Sequence, residues 1–167
     1  YGQLGNGTTT NSPSPVTVTG ISNAVSMARG ADSCMCAVLA DGTMKCWGRN
    51  NALQCGGTAS VNTTPVTIPG ITTAKSAVTS YNTTMAVLAD GTVRVWGGNN
   101  SGLYGNGDTN TSAQTAAPGV TVTGLNLMAT PSTSSSGLSA SEASCLVVSD
   151  GSLRCWGRND FYQMGMG

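Results

Sequence analysis

One pattern of eight residues, Asp-Gly-x-x-x-x-Trp-Gly, occurs three times in the chain, and everything else keeps phase with it. Its copies are Asp41-Gly42 with Trp47-Gly48, Asp90-Gly91 with Trp96-Gly97, and Asp150-Gly151 with Trp156-Gly157, so the tryptophans recur at intervals of 49 and 60. Ahead of each copy stands Val-Thr-(Val/Ile)-x-Gly, at 16–20, 66–70 and 120–124. Behind each comes an Asn-led, glycine-rich corner, at 50–56, 99–105 and 159–165. Residues 1–7 are a fourth such corner without its preceding Trp-Gly. A period near 50 residues belongs to propellers and repeat arrays. The reading is a single repeat array over 1–167, with repeats at about 1–49, 50–98 and 99–158, and 159–167 starting a further one.

Within a period the pattern is that of short strands. Val16-Thr17-Val18 alternates apolar and polar, and the short segments 36–39 and 43–47 flank Ala40-Asp41-Gly42. No helix-length stripe of period 3.6 interrupts this. A three-residue hairpin loop ending in glycine fits a type I turn with a G1 bulge, Gly42 taking the positive φ. Asp90-Gly91 and Asp150-Gly151 read the same way, so these aspartates are turn residues rather than catalysts. The strict spacing of Trp47, Trp96 and Trp156 likewise points to repeated core packing rather than ligand platforms. The third period is longer because of two insertions, around 108–118 and 130–141, which belong on loops.

These residues resemble a known family. The order Gly-Gln-Leu-Gly, Pro-Val-x-Val-x-Gly and Cys-Ala-Val-Leu-x-Asp-Gly-x-x-x-Cys-Trp-Gly is similar to the regulator of chromosome condensation repeat across all three periods. The resemblance implies an all-β fold: propeller blades of four-stranded antiparallel sheets, usually seven in a ring. Here about three blades are expected, a partial propeller or arc. Where family members often carry a His two residues before the Cys-Ala step, this chain has Cys34, Thr83 and Ala143. The resemblance also implies a platform for protein recognition, and it is closer to the secreted bacterial type than to the nuclear exchange factor.

The cysteines make an experiment inside one chain. Cys36, Met85 and Cys145 share one repeat position, and Cys46, Val95 and Cys155 another. Two copies carry both cysteines and the middle copy neither, which argues for bonded pairs Cys36–Cys46 and Cys145–Cys155. Facing residues of a hairpin have Cβ atoms about 4.5–5.5 Å apart, near disulfide range. The competing reading is small buried hydrophobes. Cys34 and Cys55 remain, to pair with each other, to pair between chains, or to stay free. Disulfides imply an oxidising compartment, extracellular or at the cell surface. Zinc is not expected, because no paired Cys-x-x-Cys knuckles occur.

Composition narrows the function. The chain contains no His, and only 8% of its residues are charged, balancing to zero. Serine–histidine and cysteine–histidine catalysis are therefore excluded, and no clustered basic face for nucleic acid exists. No membrane-length apolar run is present, nor a Gly-x-x-x-x-Gly-Lys-Ser/Thr phosphate loop. Among the acids only Asp32, Asp108, Glu142 and Asp160 lie outside the turns, and their spacing does not suggest convergence. No cofactor or metal is expected. Asn6, Asn62, Asn82 and Asn110 stand in glycosylation sequons. The absence of an initiator Met suggests a mature piece or a fragment.

The expected function is a non-catalytic extracellular module that binds another protein through its loops. The alternative is a structural subunit of an extracellular filament or surface matrix, assembled head to tail through open blade edges. A nucleotide-exchange-factor-like propeller is the weaker third reading.

Overall fold

The computed structural model describes residues 1–30, 33–108, 110, 114–125, 138–140, 143–162 and 165, with no account of the side chains of 29, 30 and 138–140. Twelve strands and one short 3-10 turn, Asn100–Gly102, are found among them. The strands are β1 (Ala24–Met27), β2 (Arg29–Gly30), β3 (Cys34–Leu39), β4 (Met44–Arg49), β5 (Val61–Thr67), β6 (Ala74–Thr79), β7 (Thr83–Leu88), β8 (Val93–Gly98), β9 (Gln114–Thr121), β10 (Leu138–Ala140), β11 (Ala143–Val147) and β12 (Leu153–Gly157).

They form three sheets: β1-β3-β4-β5, β2-β6-β7-β8-β9 and β10-β11-β12. Each is an antiparallel meander, apart from the two-residue β2, which runs parallel to β6. The sheets are blades of a propeller. They also straddle the sequence period: β5 and β9, the outer strands of the first two sheets, carry the Val-Thr-(Val/Ile) segment of the following repeat.

The hairpins arise where the pattern puts them. Leu39 N–H donates to Thr43 C=O at 2.9 Å and Gly42 N–H returns to Leu39 C=O at 2.9 Å, with Gly42 at φ +82°. Glycine is needed there twice over, because an added Cβ would lie 2.5 Å from Thr72 C=O. At the other end of the strand, the glycine of Trp-Gly also has positive φ, +104° at Gly48 and +98° at Gly97. A Cβ on either would collide with the carbonyl of Ser33 or Asn82. The outer-strand ladder shifts register at this step, between Cys46 and Gly48 and between Val95 and Gly97. The motif's second glycine thus accommodates a bulge.

Sheets bury their two faces against neighbours. Between the first and second lie Cys36, Cys46, Met44, Ile68, Ile71, Ala77, Ala86 and Trp96; between the second and third lie Met85, Val95, Val87, Tyr104, Leu146 and Val148. The far side of the first sheet is covered by the chain's own start, with Val18 and Ile21 on Ala37, Leu39 and Trp47. One sequence expectation differs from the structure. Residues 16–18 read as a strand but lie in no sheet, because an extended segment becomes a strand only beside a ladder partner.

Candidate recognition rim

The first two corners that follow Trp-Gly share one construction, made by an asparagine. Asn50 accepts Cys55 N–H at 2.7 Å and donates to Gly56 C=O and Ala59 C=O, both at 2.8 Å. Asn99 accepts Tyr104 N–H at 2.8 Å and donates to Asp108 C=O and Asn110 C=O. The side-chain amide thereby satisfies backbone groups that no ladder reaches. Each corner then clasps the next sheet through one carbonyl. Trp47 Nε1 donates to Gln3 C=O at 2.8 Å, Trp96 Nε1 to Gln54 C=O at 2.9 Å, and Trp156 Nε1 to Leu103 C=O at 3.0 Å. Gln3, Gln54 and Leu103 hold one repeat position. All three tryptophans therefore sit at blade joints, Trp47 and Trp96 buried and Trp156 half-buried.

Corners and the β6–β7 turn occupy one rim of the arc, since Gly48 faces Cys34 and Gly97 faces Thr83 across their hairpins. Every exposed aromatic side chain belongs to this rim: Tyr1, Tyr81, Phe161 and Tyr162. Arg49, at the end of β4, lies over two of them, 4.5 Å from the Tyr81 ring centroid and 5.7 Å from that of Tyr1. Such stacking fixes a long cationic side chain between flat apolar faces. The arrangement recurs at the third corner, where Arg158 lies 5.7 Å from the Phe161 ring and pairs with Asp160. There a groove of about 410 Å³ opens, lined by Ser101, Asp108, Arg158, Asn159 and Asp160. Asp108 and Asp160 share it, a convergence their spacing in sequence did not suggest. It arises because both follow corner asparagines, Asn99 and Asn159, that sit on adjoining sheets.

The opposite rim carries the Asp-Gly turns. Thr43 donates to Asp41 Oδ1 from its hydroxyl at 2.7 Å and its N–H at 2.9 Å. Thr92 N–H and Ser152 N–H reach Asp90 Oδ1 and Asp150 Oδ1, each at 2.8 Å. These bonds hold all three exposed carboxyls below the usual carboxylate range, the Thr43 hydroxyl leading at Asp41 and the Thr92 and Ser152 amides at the other two. Gly91 and Gly151 adopt φ +82° and +84°. The aspartates hold the loops closed.

Residues 1–37 and 141–163 match the regulator of chromosome condensation (RCC1) repeat. Among solved structures, the chain is similar to yeast RCC1 (Prp20) in its complex with Kap60, at TM-score 0.72 and 17% identity over 99% of this chain and 40% of that one. It is similar to Prp20p from Saccharomyces cerevisiae, in a study of its binding to Gsp1p and histones, at TM-score 0.69 and 18% identity, covering 89% and 36%. Human WBSCR16 follows at 0.61 and 14%, covering 80% and 33%. Two stretches match the RCC1 repeat, and the fold is that of an RCC1-like β-propeller. It spans at most 40% of the length of those three chains. No curated protein sequence matches it.

In this RCC1-like arc the six cysteines form three disulfides. Cys36–Cys46 and Cys145–Cys155 bridge facing positions of their hairpins, each with Cα atoms 4.1 Å apart. Cys34–Cys55 joins β3 to the corner, its Cα atoms 5.8 Å apart. Sequence reasoning left that pair open, because residues 21 apart meet only when the corner folds back onto the strand. The Sγ atoms of Cys34, Cys36 and Cys46 lie within 4.8 Å of one another, as compact as a thiolate cage. Their surroundings do not fit one. Ile68, Ile71 and Trp96 offer a multiply charged cage no polar support, whereas disulfides are neutral.

The sequons differ in setting. Asn62 is buried and donates to Cys55 C=O and Gly56 C=O, and Asn82 is half-buried in the β6–β7 turn. Asn6 accepts Thr8 N–H and hydroxyl on a surface loop, and Asn110 is exposed. Asp32, Glu142, most of the 130–141 insertion, and Thr109 and residues 111–113 of the 108–118 insertion lie outside the described residues. No helix among the described residues is long and apolar enough to cross a membrane.

Proposed function

We propose that the chain is a non-catalytic protein-recognition module that binds its partner through the corner rim. The observation that carries this reading is the concentration of exposed aromatic and arginine side chains there, around Tyr1, Arg49 and Tyr81. Tyrosine and arginine supply large contact area at low entropic cost and dominate interface energetics. The Asp-Gly rim has small turns and no exposed aromatic residue among those described. The RCC1 repeat supports a protein-interaction role, and its structural neighbours include Prp20 bound to Kap60 and Prp20p studied for its binding to Gsp1p and histones. Those partners belong to those proteins. Three disulfides in a chain this poor in charge support an extracellular or cell-surface setting for this one. An exchange-factor role has less support, since charged residues are few.

Quantitative cross-linking to proteins of the source cell surface tests the reading. Arg49→Ala with Tyr81→Ala on the corner rim should remove the specific cross-links, while Asp90→Ala on the turn rim leaves them. Equal loss from both rims, or from neither, would sink it.

A further inference from the structure

The residue after Trp-Gly leads into each corner: Arg49 in the first sheet, Gly98 in the second and Arg158 in the third. Two positions further on stand Asn51, Asn100 and Asp160, again equivalent in the repeat. The two arginine corners can therefore be compared group for group. At the third, Arg158 Nε donates to Asp160 Oδ2 and the guanidinium lies near the Phe161 ring, so a carboxylate balances the charge. At the first, the exposed Asn51 takes the place of that carboxylate. With its amide turned so that Nδ2 donates to Ser60 C=O at 3.2 Å, its Oδ1 accepts Arg49 Nε at 3.2 Å. The hydrogen bond is kept without the negative charge.

Arg49 is also held in place. Its N–H donates to Ser33 C=O at 2.7 Å, and Ser33 Oγ donates to Tyr81 C=O at 3.3 Å. The buried Gln54 donates to the same Tyr81 carbonyl from Nε2 at 3.2 Å. These bonds fix the backbone from which the Tyr81 ring meets the guanidinium, 4.5 Å from its centroid. A guanidinium carries all its N–H donors in one plane. Asn51 takes the donor on Nε, and no carboxylate or carbonyl takes those on Nη1 and Nη2 among the described residues. Arg94, by contrast, spends Nε, Nη1 and Nη2 on Pro118 C=O, Thr121 Oγ1 and Gly119 C=O, which is a structural use.

We infer that Arg49 is the receptor for a carboxylate, the side chain of a Glu or Asp on the protein partner, bound through Nη1 and Nη2. This deepens the function proposed above and rests on the corner rim being the recognition surface, to which it adds the chemistry of the group that surface takes.

Charge and shape both favour that ligand. The planar fork of an arginine matches a carboxylate through two parallel hydrogen bonds. Asn51 and Tyr81 hold the guanidinium before the ligand arrives, which lowers the ordering cost of binding. A neutral amide could accept the same N–H groups, but it would leave the positive charge unbalanced. The pair Arg158–Asp160 is this recognition already made within the chain, by a side-chain carboxylate at the equivalent corner.

Nuclear magnetic resonance of the oxidised chain at low salt tests the site without the partner. The probe is acetyl-Gly-Glu-Gly-amide, and acetyl-Gly-Gln-Gly-amide is its neutral match. The Glu peptide should move the Arg49 Nε–H resonance saturably, and the Gln peptide should leave it in place. Asn51→Asp gives the first corner the carboxylate of the third and should weaken the Glu peptide about threefold or more. Its backbone resonances away from the corner should not change. Arg49→Lys keeps the charge without the fork and should also weaken the peptide, as followed at the Tyr81 amide. An unmoved Arg49 resonance, or equal movement at the exposed Arg154, would overturn the receptor. Tighter binding of acetyl-Gly-Gly-Gly, with its free terminal carboxylate, would overturn the side-chain ligand. An Asn51→Asp variant that binds as the parent does would overturn the part assigned to the missing charge. Each of these failures is distinct from failure of the rim reading, which is decided by whether Arg49→Ala with Tyr81→Ala removes the cross-links.

Discussion

The first and second sheets solve one packing problem with different chemistry. In the first, β3 is tied to its corner by Cys34–Cys55 and to β4 by Cys36–Cys46. In the second, the equivalent residues are Thr83, Tyr104, Met85 and Val95, with no sulfur bond among them. There Thr83 Oγ1 donates to Gly98 C=O and Tyr104 OH to Gly97 C=O, each at 2.6 Å. Burial raises the Tyr104 phenol above its ordinary range, so it stays protonated and able to donate at any physiological pH. Both arrangements leave the asparagine corner and the carbonyl that clasps the next tryptophan in the same place. The backbone of the joint therefore defines the blade, and the side chains that lock it are interchangeable provided each buried polar group is satisfied.

That comparison can be broken at its common element. Trp96 is fully buried and fills the joint between the two sheets. Trp96→Ala should cost about 3–5 kcal/mol in chemical denaturation. A loss under about 1 kcal/mol would mean that the tryptophan is not what the two sheets share. The locks come next. Replacing Cys34 and Cys55 together by Ala removes a link closing about 21 residues, with an expected cost near 3 kcal/mol. Tyr104→Phe removes one hydrogen bond in the second sheet and should cost about 1 kcal/mol, with the Gly97 carbonyl left buried. If the two losses are equal, the covalent lock adds nothing beyond the hydrogen-bonded one.

The smallest effect sharpens the comparison on the other rim, where the sheets agree. The Asp41, Asp90 and Asp150 carboxyls lie below their unfolded values. Their contribution is therefore complete above about pH 4 and is lost as pH falls through the depressed folded values. Asp90→Asn should flatten that part of the acid-stability curve, with its small cost present at neutral pH and gone once the carboxyls of the unsubstituted chain are protonated. A slope that persists in the triple Asn variant would assign the acid response elsewhere.

The period in the sequence was enough to place the hairpins and the three-sheet order, because turn chemistry and alternation are local. Asp-Gly requires a tight loop, whereas the bulge at Trp-Gly came to light only in the strand register. The hairpin disulfides were legible for the same reason, since Cys36 and Cys46 face each other across a turn of three residues. Cys34–Cys55 was not, and neither was the groove shared by Asp108 and Asp160. Both depend on where a corner lands after the chain leaves its sheet, and the side-chain hydrogen bonds of Asn50 and Asn99 to the corner backbone decide that. Residues 16–18 show the converse: alternation gave them the pattern of a strand, but a ladder needs a second chain segment, and only the packed fold shows which edges have one. What neighbours in sequence can settle was written in the repeat; what required distant segments to meet was decided by tertiary structure.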